Sequence, residues 1–302
     1  MKISYVKHND IDFLKWDDCI NRSLNGIVYA YSWYLNIVAG EWDALVGDDY
    51  KVVFPLVKGK KYGVSYLYQP LFTQQLGVFS SIKIDSQNIK LFLDSIPKKF
   101  QHQIINFNTF NYLKNDKGEI FERVTYQLDL VQSYFDLSSN YNDNTKRNIS
   151  KSIAMGVSVN KMLSVADYIH FKRQNLMVPL KDDQIELLNR IMLQALEKGV
   201  GEIYAAFTDH RELCAAAFFI CSNEKVIYLS AASNELGRTN RAMFTLVDQF
   251  INNYSESQLV LDFEGSSIES VARFYAGFGA KKCTYLQLVV NRLPWYLKLF
   301  KR

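Results

Sequence analysis

One order of secondary-structure elements occurs twice along this chain of 302 residues: a helix, three strands, a second helix and a further strand. The elements are assigned from apolar spacing, whose period is about 3.6 residues in a helix and about 2 in a strand. Polar turn residues separate the three strands in each half, as in successive hairpins. The predicted segments are 28–40, 42–46, 51–57, 62–68, 87–100 and 104–110 in the first half, and 185–196, 202–207, 213–221, 226–232, 241–254 and 259–263 in the second.

The repeat predicts two domains of similar architecture. Alternating helices and strands also arise by chance in many proteins, but the matching turns favour a duplication. A length of 302 residues agrees with two domains, since one domain usually takes about 100–200 residues. The polar stretch 138–144, SSNYNDN, is rich in turn formers and marks the junction. We therefore predict an N-terminal domain at 1–137 and a C-terminal domain at 138–302.

Composition narrows the possible classes of protein. The chain is 48% hydrophobic and 22% charged, which is typical of a folded protein rather than a disordered one. A net charge of +4 is too small to favour a nucleic-acid-binding protein, and we expect no DNA partner. The longest apolar run, 214–221, is shorter than the about 20 residues that span a bilayer. The N-terminus lacks the apolar segment of a signal peptide, so the sequence predicts a cytoplasmic protein.

Motifs of metal-dependent or covalent catalysis are missing from the sequence. The four cysteines form no C-x-x-C pair, and no H-E-x-x-H, G-x-S-x-G or Gly-rich phosphate motif occurs. The four histidines lie beside no matching carboxylate or cysteine motif. We therefore expect no metal site.

Three stretches carry a resemblance to a known superfamily. TYQLDL at 125–130 leads into NTKRNISKSIAMGV at 144–157, QPLFTQQLGVFS lies at 69–80, and LDFEGSSIESVARFYAGFGA lies at 261–280. Together with the order of elements, they resemble the GNAT acyltransferases. Within that superfamily the chain is similar to the Fem-type aminoacyltransferases of bacterial cell-wall synthesis and the related methicillin-resistance proteins, which have two tandem GNAT units.

This resemblance implies a fold and an activity. The fold would be α+β, with two tandem GNAT-like domains, each a mixed sheet flanked by helices. The activity would be N-acyl transfer, in which an acyl or aminoacyl group passes to an amine acceptor such as a phosphate-bearing cell-wall precursor. The donor would be aminoacyl-tRNA or acyl-CoA, with no covalently bound cofactor. The location would be the cytoplasm, with peripheral contact at the inner membrane face where the precursor is membrane-bound. A non-catalytic binding module with the same double fold is the alternative.

The expected donor loop departs from the superfamily pattern. GNAT enzymes that use acetyl-CoA carry a Q/R-x-x-G-x-G/A loop whose amides hold pyrophosphate at a helix start. Read from Arg238, the corresponding stretch places Arg241 at the first glycine, which argues against CoA. Arg238, Asn240 and Arg241 flank the start of the next helix, where cations are unfavourable unless an anion binds. We predict that these three residues bind donor phosphate; solvent-facing arginines are the alternative.

A carboxylate pair is the candidate catalytic group of the second half. Strand alternation places Asp262 and Glu264 on one face of the predicted strand 259–263. Their repulsion would raise one pKa, so that one carboxylate could accept an amine proton. In the alternative, Glu264 points to water and Asp262 pairs with an arginine. The sequence Ser266 to Glu269 has the spacing of a capping box and predicts a helix from Ser267.

A basic cluster is the candidate acceptor site. Lys146, Arg147 and Lys151 lie at the start of the second half, and Arg147 and Lys151 share a helix face at i, i+4 spacing. A phosphate-bearing acceptor would relieve their repulsion, whereas a solvated helix face is the alternative. The tail 293–302 mixes aromatic and basic residues, and we expect its aromatic side chains to pack on the fold rather than on a membrane.

Overall fold

The structure, a computed structural model, describes residues 1–113, 118–176, 179–265 and 268–293. The strands are β1 Ile3–Val6, β2 Trp42–Gly47, β3 Val52–Lys61, β4 Val64–Leu67, β5 Phe79–Ser80, β6 Phe100–Asn106, β7 Glu119–Asp129, β8 Ser158–Asn160, β9 Gly201–Phe207, β10 Leu213–Ser222, β11 Lys225–Ser233, β12 Val260–Asp262 and β13 Lys281–Asn291. The helices are α1 Phe13–Arg22, α2 Ser32–Ala39, α3 Ser86–Asp94, α4 Tyr134–Ser139, α5 Asp143–Ala154, α6 Val165–Gln174, α7 Asp182–Glu197, α8 Glu235–Thr239, α9 Ala242–Tyr254 and α10 Glu269–Gly277.

The chain divides into two compact units. The first unit contains residues 1–123 and 284–302, and the second contains residues 124–283. The described part of the first unit therefore includes residues 284–293, whereas the sequence predicts contiguous domains at 1–137 and 138–302. The reason is strand pairing: β13 runs antiparallel to β6, with Leu288 opposite Ile105. Apolar alternation predicts that a segment is a strand, but it does not specify which strand it pairs with.

The sheet of the first unit is mixed. Strands β1, β2, β3 and β4 form an antiparallel meander, β6 lies parallel to β4, and β13 lies antiparallel to β6. Helix α3 packs on this sheet through Phe92, whose ring lies 6.5 Å from that of Phe54 on β3. The parallel β4–β6 pair requires a crossover connection, which contains β5 and α3.

The sheet of the second unit repeats this arrangement. Strands β8, β9, β10 and β11 are antiparallel, β12 lies parallel to β11, and β7 lies antiparallel to β12. Helix α9 provides the crossover and packs on the sheet, where Phe250 stacks on Phe219 at 3.9 Å with an angle of 12°. Helices α6 and α7 also pack in this unit, with Leu188, Ile191 and Met192 of α7 buried.

The repeated element order predicted from the sequence is confirmed. The predicted mixed sheets flanked by helices are present in both units, so the α+β class is also confirmed. Several boundaries in the first unit differ from the prediction, and one of the differences has a clear cause. Helix α3 ends at Asp94 rather than near residue 100, because Pro97 cannot continue a helix, and β6 consequently begins at Phe100.

Membrane contact was one of the expectations from the sequence. Among the described residues, no helix combines the length and the apolar character needed to cross a bilayer. Residues 294–302 of the basic aromatic tail lie outside the described residues.

Gly237 places α8 close to β10. A Cβ atom at this glycine would lie 2.0 Å from the carbonyl oxygen of Cys214 and 2.4 Å from the hydroxyl of Ser233. The carbonyl belongs to the backbone of a buried strand and cannot rotate away. Glycine is therefore required for α8 to pack closely, and this packing fixes the start of the loop that leads into α9.

We expect Gly237→Ala to lower the free energy of unfolding by about 2–3 kcal/mol, because the added methyl group forces α8 away from β10. Gly199→Ala is the matched control: Gly199 has a φ of 68° with open space around it, so only the backbone conformation is strained. That control should cost about 1–2 kcal/mol. Urea denaturation of the full chain measures both, and equal stability of Gly237→Ala and the wild type would contradict the close packing.

Candidate functional site

Strands β11 and β12 separate within the second unit. Their parallel pairing covers Lys225 to Ile227 on β11 and Val260 to Asp262 on β12. Strand β12 ends at Asp262, whereas β11 continues to Ser233. Residues 228–233 of β11 therefore extend beyond the end of β12. We call this edge of β11, together with the end of β12, the strand opening.

A β-bulge lies in β11 at the strand opening. Phe218 of β10 is opposite Ser230, but the next residue, Phe219, is opposite Tyr228. Leu229 is thus the extra residue, and such a residue is left out of the regular hydrogen-bond ladder. Bulges of this kind redirect backbone groups and are frequent beside active sites.

Helix α6 places two polar side chains on β11 within the strand opening. Tyr168 and Lys172 are four residues apart and share a helix face. The hydroxyl of Tyr168 donates to Oγ of Ser230 at 2.9 Å, and Nζ of Lys172 donates to the carbonyl oxygen of Ala231 at 2.5 Å. Both contacts lie beyond the last residue of β11 that pairs with β12.

The ammonium group of Lys172 is unusually acidic. The side chain is half-buried, and burial lowers its pKa from 10.5 to about 8, since a charge loses hydration inside the protein. Near neutral pH, Lys172 is a charged hydrogen-bond donor in most molecules and a neutral amine in a minor fraction of them. Lys172 could therefore stabilise a developing oxyanion or exchange a proton.

Sequence reasoning missed Lys172. Its only local signal is its position on a helix whose buried residues are Val165, Tyr168 and Phe171. A lysine next to such a stripe is ordinarily a surface residue with a partly covered aliphatic stem. Only its contact with Ala231, 59 residues further along the chain, identifies it as a site residue.

Asp262, the first predicted catalytic residue, is 1% exposed and fully hydrogen-bonded. Its Oδ1 accepts from the hydroxyl of Thr125 and, at 2.8 Å, from the backbone N–H of Glu264. Its Oδ2 accepts from Nε2 of Gln127 at 2.8 Å. Burial raises the pKa of Asp262, and these hydrogen bonds together with the charge of Lys225 offset part of the rise. The anticipated rise in pKa is present, but its main cause is burial rather than Glu264.

Glu264, the second predicted catalytic residue, lies beyond the end of β12. Its φ of 59° breaks strand alternation, so the prediction that both carboxylates share one face of a strand is wrong. Both carboxylates nevertheless affect Tyr275. Burial raises the pKa of its phenol, and the negative charges of Glu264 and Asp262 raise that pKa further. Glu264 is half-buried, and its carboxylate is therefore more accessible than that of Asp262. Ser266 and Ser267, predicted as the start of the next helix, lie outside the described residues.

The predicted phosphate-binding residues surround the start of α9. Arg238 donates from Nη1 to the carbonyl oxygen of Ser233 at 2.8 Å and so binds the last residue of β11. Asn240 is half-buried, and its backbone N–H donates to the carbonyl of Leu236. Arg241 is exposed and is the N-cap residue of α9, as the sequence predicted for the helix start.

The backbone at Arg241 has the conformation that glycine favours. Its φ is 57° and its ψ is 28°, in the left-handed region. The sequence resemblance matches this position to the first glycine of the superfamily loop, and here an arginine adopts the left-handed conformation.

The structure separates the three predicted acceptor-binding residues. Lys146 lines a cavity of about 340 Å³, the α5 pocket, with Tyr134, Tyr141 and Asp248 among the other lining residues. Its Nζ donates to the carbonyl oxygen of Ser139 at 2.6 Å. The buried Asp248 accepts from the hydroxyl of Tyr134 at 2.9 Å, and burial raises its pKa.

Arg147 and Lys151 lie outside the α5 pocket. Both are exposed on α5, and Nε of Arg147 donates to the carbonyl oxygen of Asp143 at 3.3 Å, one turn earlier in the same helix. Arg147 and Lys151 share a face of α5 at i, i+4 spacing, and acceptor binding by these two residues together with Lys146 stays a prediction.

The fold is similar to that of several solved structures. FemX aligns over 100% of this chain and 100% of its own, with a TM-score of 0.70 and 11% sequence identity. An acetyltransferase of the GNAT family from Colwellia psychrerythraea aligns over 96% of this chain and 100% of its own, with a TM-score of 0.56 and 11% identity. L-PGS from Bacillus licheniformis aligns over 95% of this chain and 93% of its own, with a TM-score of 0.52 and 10% identity. No protein-family model and no curated protein sequence matches the chain.

We expect Lys172→Met to stabilise the protein more at pH 7 than at pH 10. Because the pKa of Lys172 is lowered to about 8 in the folded protein, the unfolded chain binds this proton more readily. The resulting cost to stability is fully present below pH 8 and disappears as the pH rises towards 10.5. The stability difference between variant and wild type should shrink by about 2–3 kcal/mol over that interval.

Urea denaturation at a series of pH values measures this difference, in which the titration of all other groups cancels. Lys282→Met, at an exposed position of the same unit, is the control and should show a pH-independent difference. A difference for Lys172→Met that is equally independent of pH would show that the ammonium is well hydrated.

Proposed function

We propose that this protein is an N-acyltransferase whose reaction takes place at the strand opening of the second unit. The observation that carries the proposal is the departure of β12 from β11 beside the bulge at Leu229, with Lys172 bound to the same edge. An acyl carbonyl needs backbone amides and a cation near its oxygen; the part of β11 that β12 does not cover supplies backbone groups, and Lys172 supplies a cation. The similarity in fold to FemX and to a GNAT acetyltransferase supports this assignment.

The proposed chemistry is direct attack of a neutral amine on the acyl carbonyl. The attacking amine loses a proton and the carbonyl oxygen gains negative charge in the transition state. The Lys172 ammonium stabilises that charge, since it is half-buried and already acts as a donor at this edge. Glu264 accepts the proton because its carboxylate is the more accessible of the two predicted carboxylates.

In the proposed reaction Asp262 is a positioning residue, which holds neighbouring groups in place. Its carboxylate connects β12 to Thr125 and Gln127 of β7 and to the backbone N–H of Glu264. These hydrogen bonds position the end of β12 and the backbone of Glu264. Removing its charge should disturb the geometry of Glu264 as well as the local packing.

The proposed donor is an aminoacyl group rather than acetyl-CoA. The exposed Arg241 side chain stands where a glycine would let pyrophosphate approach the backbone at the start of α9. Arg238 and Arg241 instead suit the phosphates of an RNA end, which arginine binds through paired N–H groups.

The proposed acceptor is an amine on a phosphate-bearing cell-wall precursor. Lys146 in the α5 pocket supplies a cation, while the neighbouring Asp248 and Tyr134 supply hydrogen-bonding groups. Arg147 and Lys151 add positive charge on the exposed side of α5. Contact with the inner membrane face would follow if the precursor is lipid-linked.

A non-catalytic binding module is the second candidate function. The observation that favours it is Asp262, whose two oxygens are both taken by protein donors, together with the altered residue at position 241. In that case the strand opening would bind a ligand without transferring an acyl group. Measurements of activity and of donor binding separate the two candidates.

We expect Glu264→Gln to lower the rate of acyl transfer by about 10²–10⁴-fold, because an amide cannot accept the amine proton. Its free energy of unfolding should change by under about 0.5 kcal/mol, since the side chain is half-buried. Asp262→Asn should instead cost about 1–3 kcal/mol of stability, because the new amide group faces the donors of Thr125 and Gln127.

Transfer of a radiolabelled amino acid from aminoacyl-tRNA to a panel of amine acceptors gives the rate, and thermal melting gives the stability. Full activity of Glu264→Gln on an acceptor that the wild type uses would exclude Glu264 as the base. Absence of transfer by the wild type from both aminoacyl-tRNA and acyl-CoA would favour the binding module.

We expect the wild type to bind acetyl-CoA weakly, with Kd above about 1 mM, and Arg241→Gly to bind at least about tenfold more tightly. Glycine accepts the φ of 57° without strain and removes the obstructing side chain. Isothermal titration calorimetry measures both affinities. Micromolar binding by the wild type that is lost in Arg241→Ala would show that the arginine holds CoA, and the aminoacyl donor would lose its main support.

A further inference from the structure

A second cavity, of about 440 Å³, lies in the first unit, and its residues take no part in the proposed acyl transfer. We call it the lysine pocket. It lies where parts of β1, β2, β3, β4 and β6 meet. Its lining residues include Tyr5, Lys7, Glu41, Asp43, Lys58, Lys60, Lys99 and Phe100.

Asp43 is the buried centre of the lysine pocket, at 1% exposure. Its carboxylate accepts from the hydroxyl of Tyr5, from Nζ of Lys58 at 2.5 Å and from the backbone N–H of His8 at 3.2 Å. Burial on its own would raise the pKa of Asp43, but the hydrogen bonds from Lys58 and Tyr5 and the charge of Lys58 outweigh it and lower the pKa. The carboxylate is therefore ionised at neutral pH.

Tyr5 links this carboxylate to a second ammonium group. Its hydroxyl accepts from Nζ of Lys99 at 2.7 Å while donating to Asp43. Burial, followed by the hydrogen bond to Asp43, raises the pKa of Tyr5, so the phenol stays neutral. The Lys99 ammonium also lies 4.7 Å from the ring centre of Tyr5 and 5.0 Å from that of Phe100. Its position is thus determined by three contacts.

The ammonium groups of Lys58 and Lys99 are held at the two ends of one hydrogen-bonded chain. Successive hydrogen bonds of about 3 Å keep them on the order of 10 Å apart or closer, which is about one Debye length. A single ionised carboxylate, Asp43, lies between them. An ammonium group has three donors, so each lysine keeps N–H groups beyond those that these contacts use.

Positive charge exceeds negative charge around the cavity. Among the described residues of the lining, Lys7, Lys58, Lys60 and Lys99 are positive, whereas Glu41 and Asp43 are negative. Lys58 and Lys60 are two residues apart on β3 and therefore project from the same face of the sheet. The two carboxylates compensate only part of this positive charge, so binding of a further anion would relieve the remaining repulsion.

We infer that the lysine pocket binds a phosphate group of a ligand, either a monoester or a diphosphate. Several separate ammonium donors suit the several oxygens of a phosphate better than the two oxygens of a carboxylate. The cavity is larger than one phosphate, so it also has room for part of the organic group that carries the phosphate. The inference does not depend on the acyltransferase proposal, because every residue that supports it belongs to the first unit.

Titration of the full-length protein with sodium pyrophosphate in a calorimeter tests the inference. We expect saturable binding with Kd of about 1 mM or tighter at low ionic strength, weakening as salt is added. Lys99→Met should weaken binding by about 5- to 10-fold, since it removes one of the positioned donors and leaves the Asp43–Lys58 pair in place. Lys98→Met is the matched control, because Lys98 is exposed and adjacent in sequence but does not line the cavity; its affinity should equal that of the wild type.

Absence of saturable heat up to about 10 mM pyrophosphate would overturn the inference, because a built phosphate site should saturate well below that concentration. Equal weakening in Lys98→Met and Lys99→Met would also overturn it, since binding would then reflect general surface charge. Vesicles containing phosphatidic acid, compared with vesicles of phosphatidylcholine alone, distinguish the source of the phosphate. Lys99-dependent binding to the former would identify a lipid headgroup, and binding of pyrophosphate without vesicle binding would identify a soluble ligand.

Discussion

The candidate site of the second unit depends on the hydrogen bonds of the buried Asp262 carboxylate. They connect the end of β12 to Thr125 and Gln127 on β7 and to the backbone of Glu264. An ionised carboxylate in a buried position is costly unless such donors surround it. Strand β12 ends at Asp262 while β11 continues to Ser233, so these hydrogen bonds lie at the end of β12, beside the strand opening.

The strand opening combines backbone irregularity with an unusual lysine. The bulge at Leu229 and the contact between Lys172 and Ala231 both lie on the part of β11 that β12 does not cover. Burial lowers the pKa of Lys172 from 10.5 to about 8, so its ammonium group can exchange a proton near neutral pH. An exposed lysine stays charged at that pH. The adjoining loop keeps a glycine-type backbone at Arg241 but presents a guanidinium group. If the proposed donor binds here, guanidinium groups rather than backbone amides would hold its phosphate.

The two units share a fold and differ in their chemistry. Each has a four-stranded antiparallel arrangement followed by a parallel strand, yet the charged network of the first unit surrounds Asp43 rather than the parallel strand. There a buried carboxylate holds Lys58 directly and Lys99 through Tyr5. In both units a buried aspartate organises its neighbours, since its cost of burial is offset only when several donors converge on it.

The order of elements, the repeat and the position of Arg241 immediately before α9 follow from the amino-acid sequence, because apolar periodicity and turn residues act within short segments. The sequence also singled out Asp262, but not its partners, which lie 135 and 137 residues earlier in the chain. Three features are visible only in the folded protein: β13 pairs with β6 in the first unit, Lys172 reaches Ala231, and Glu264 leaves the strand. These features depend on which distant segments pack together. Local periodicity reports that a side chain is buried, and only packing determines what it is buried against.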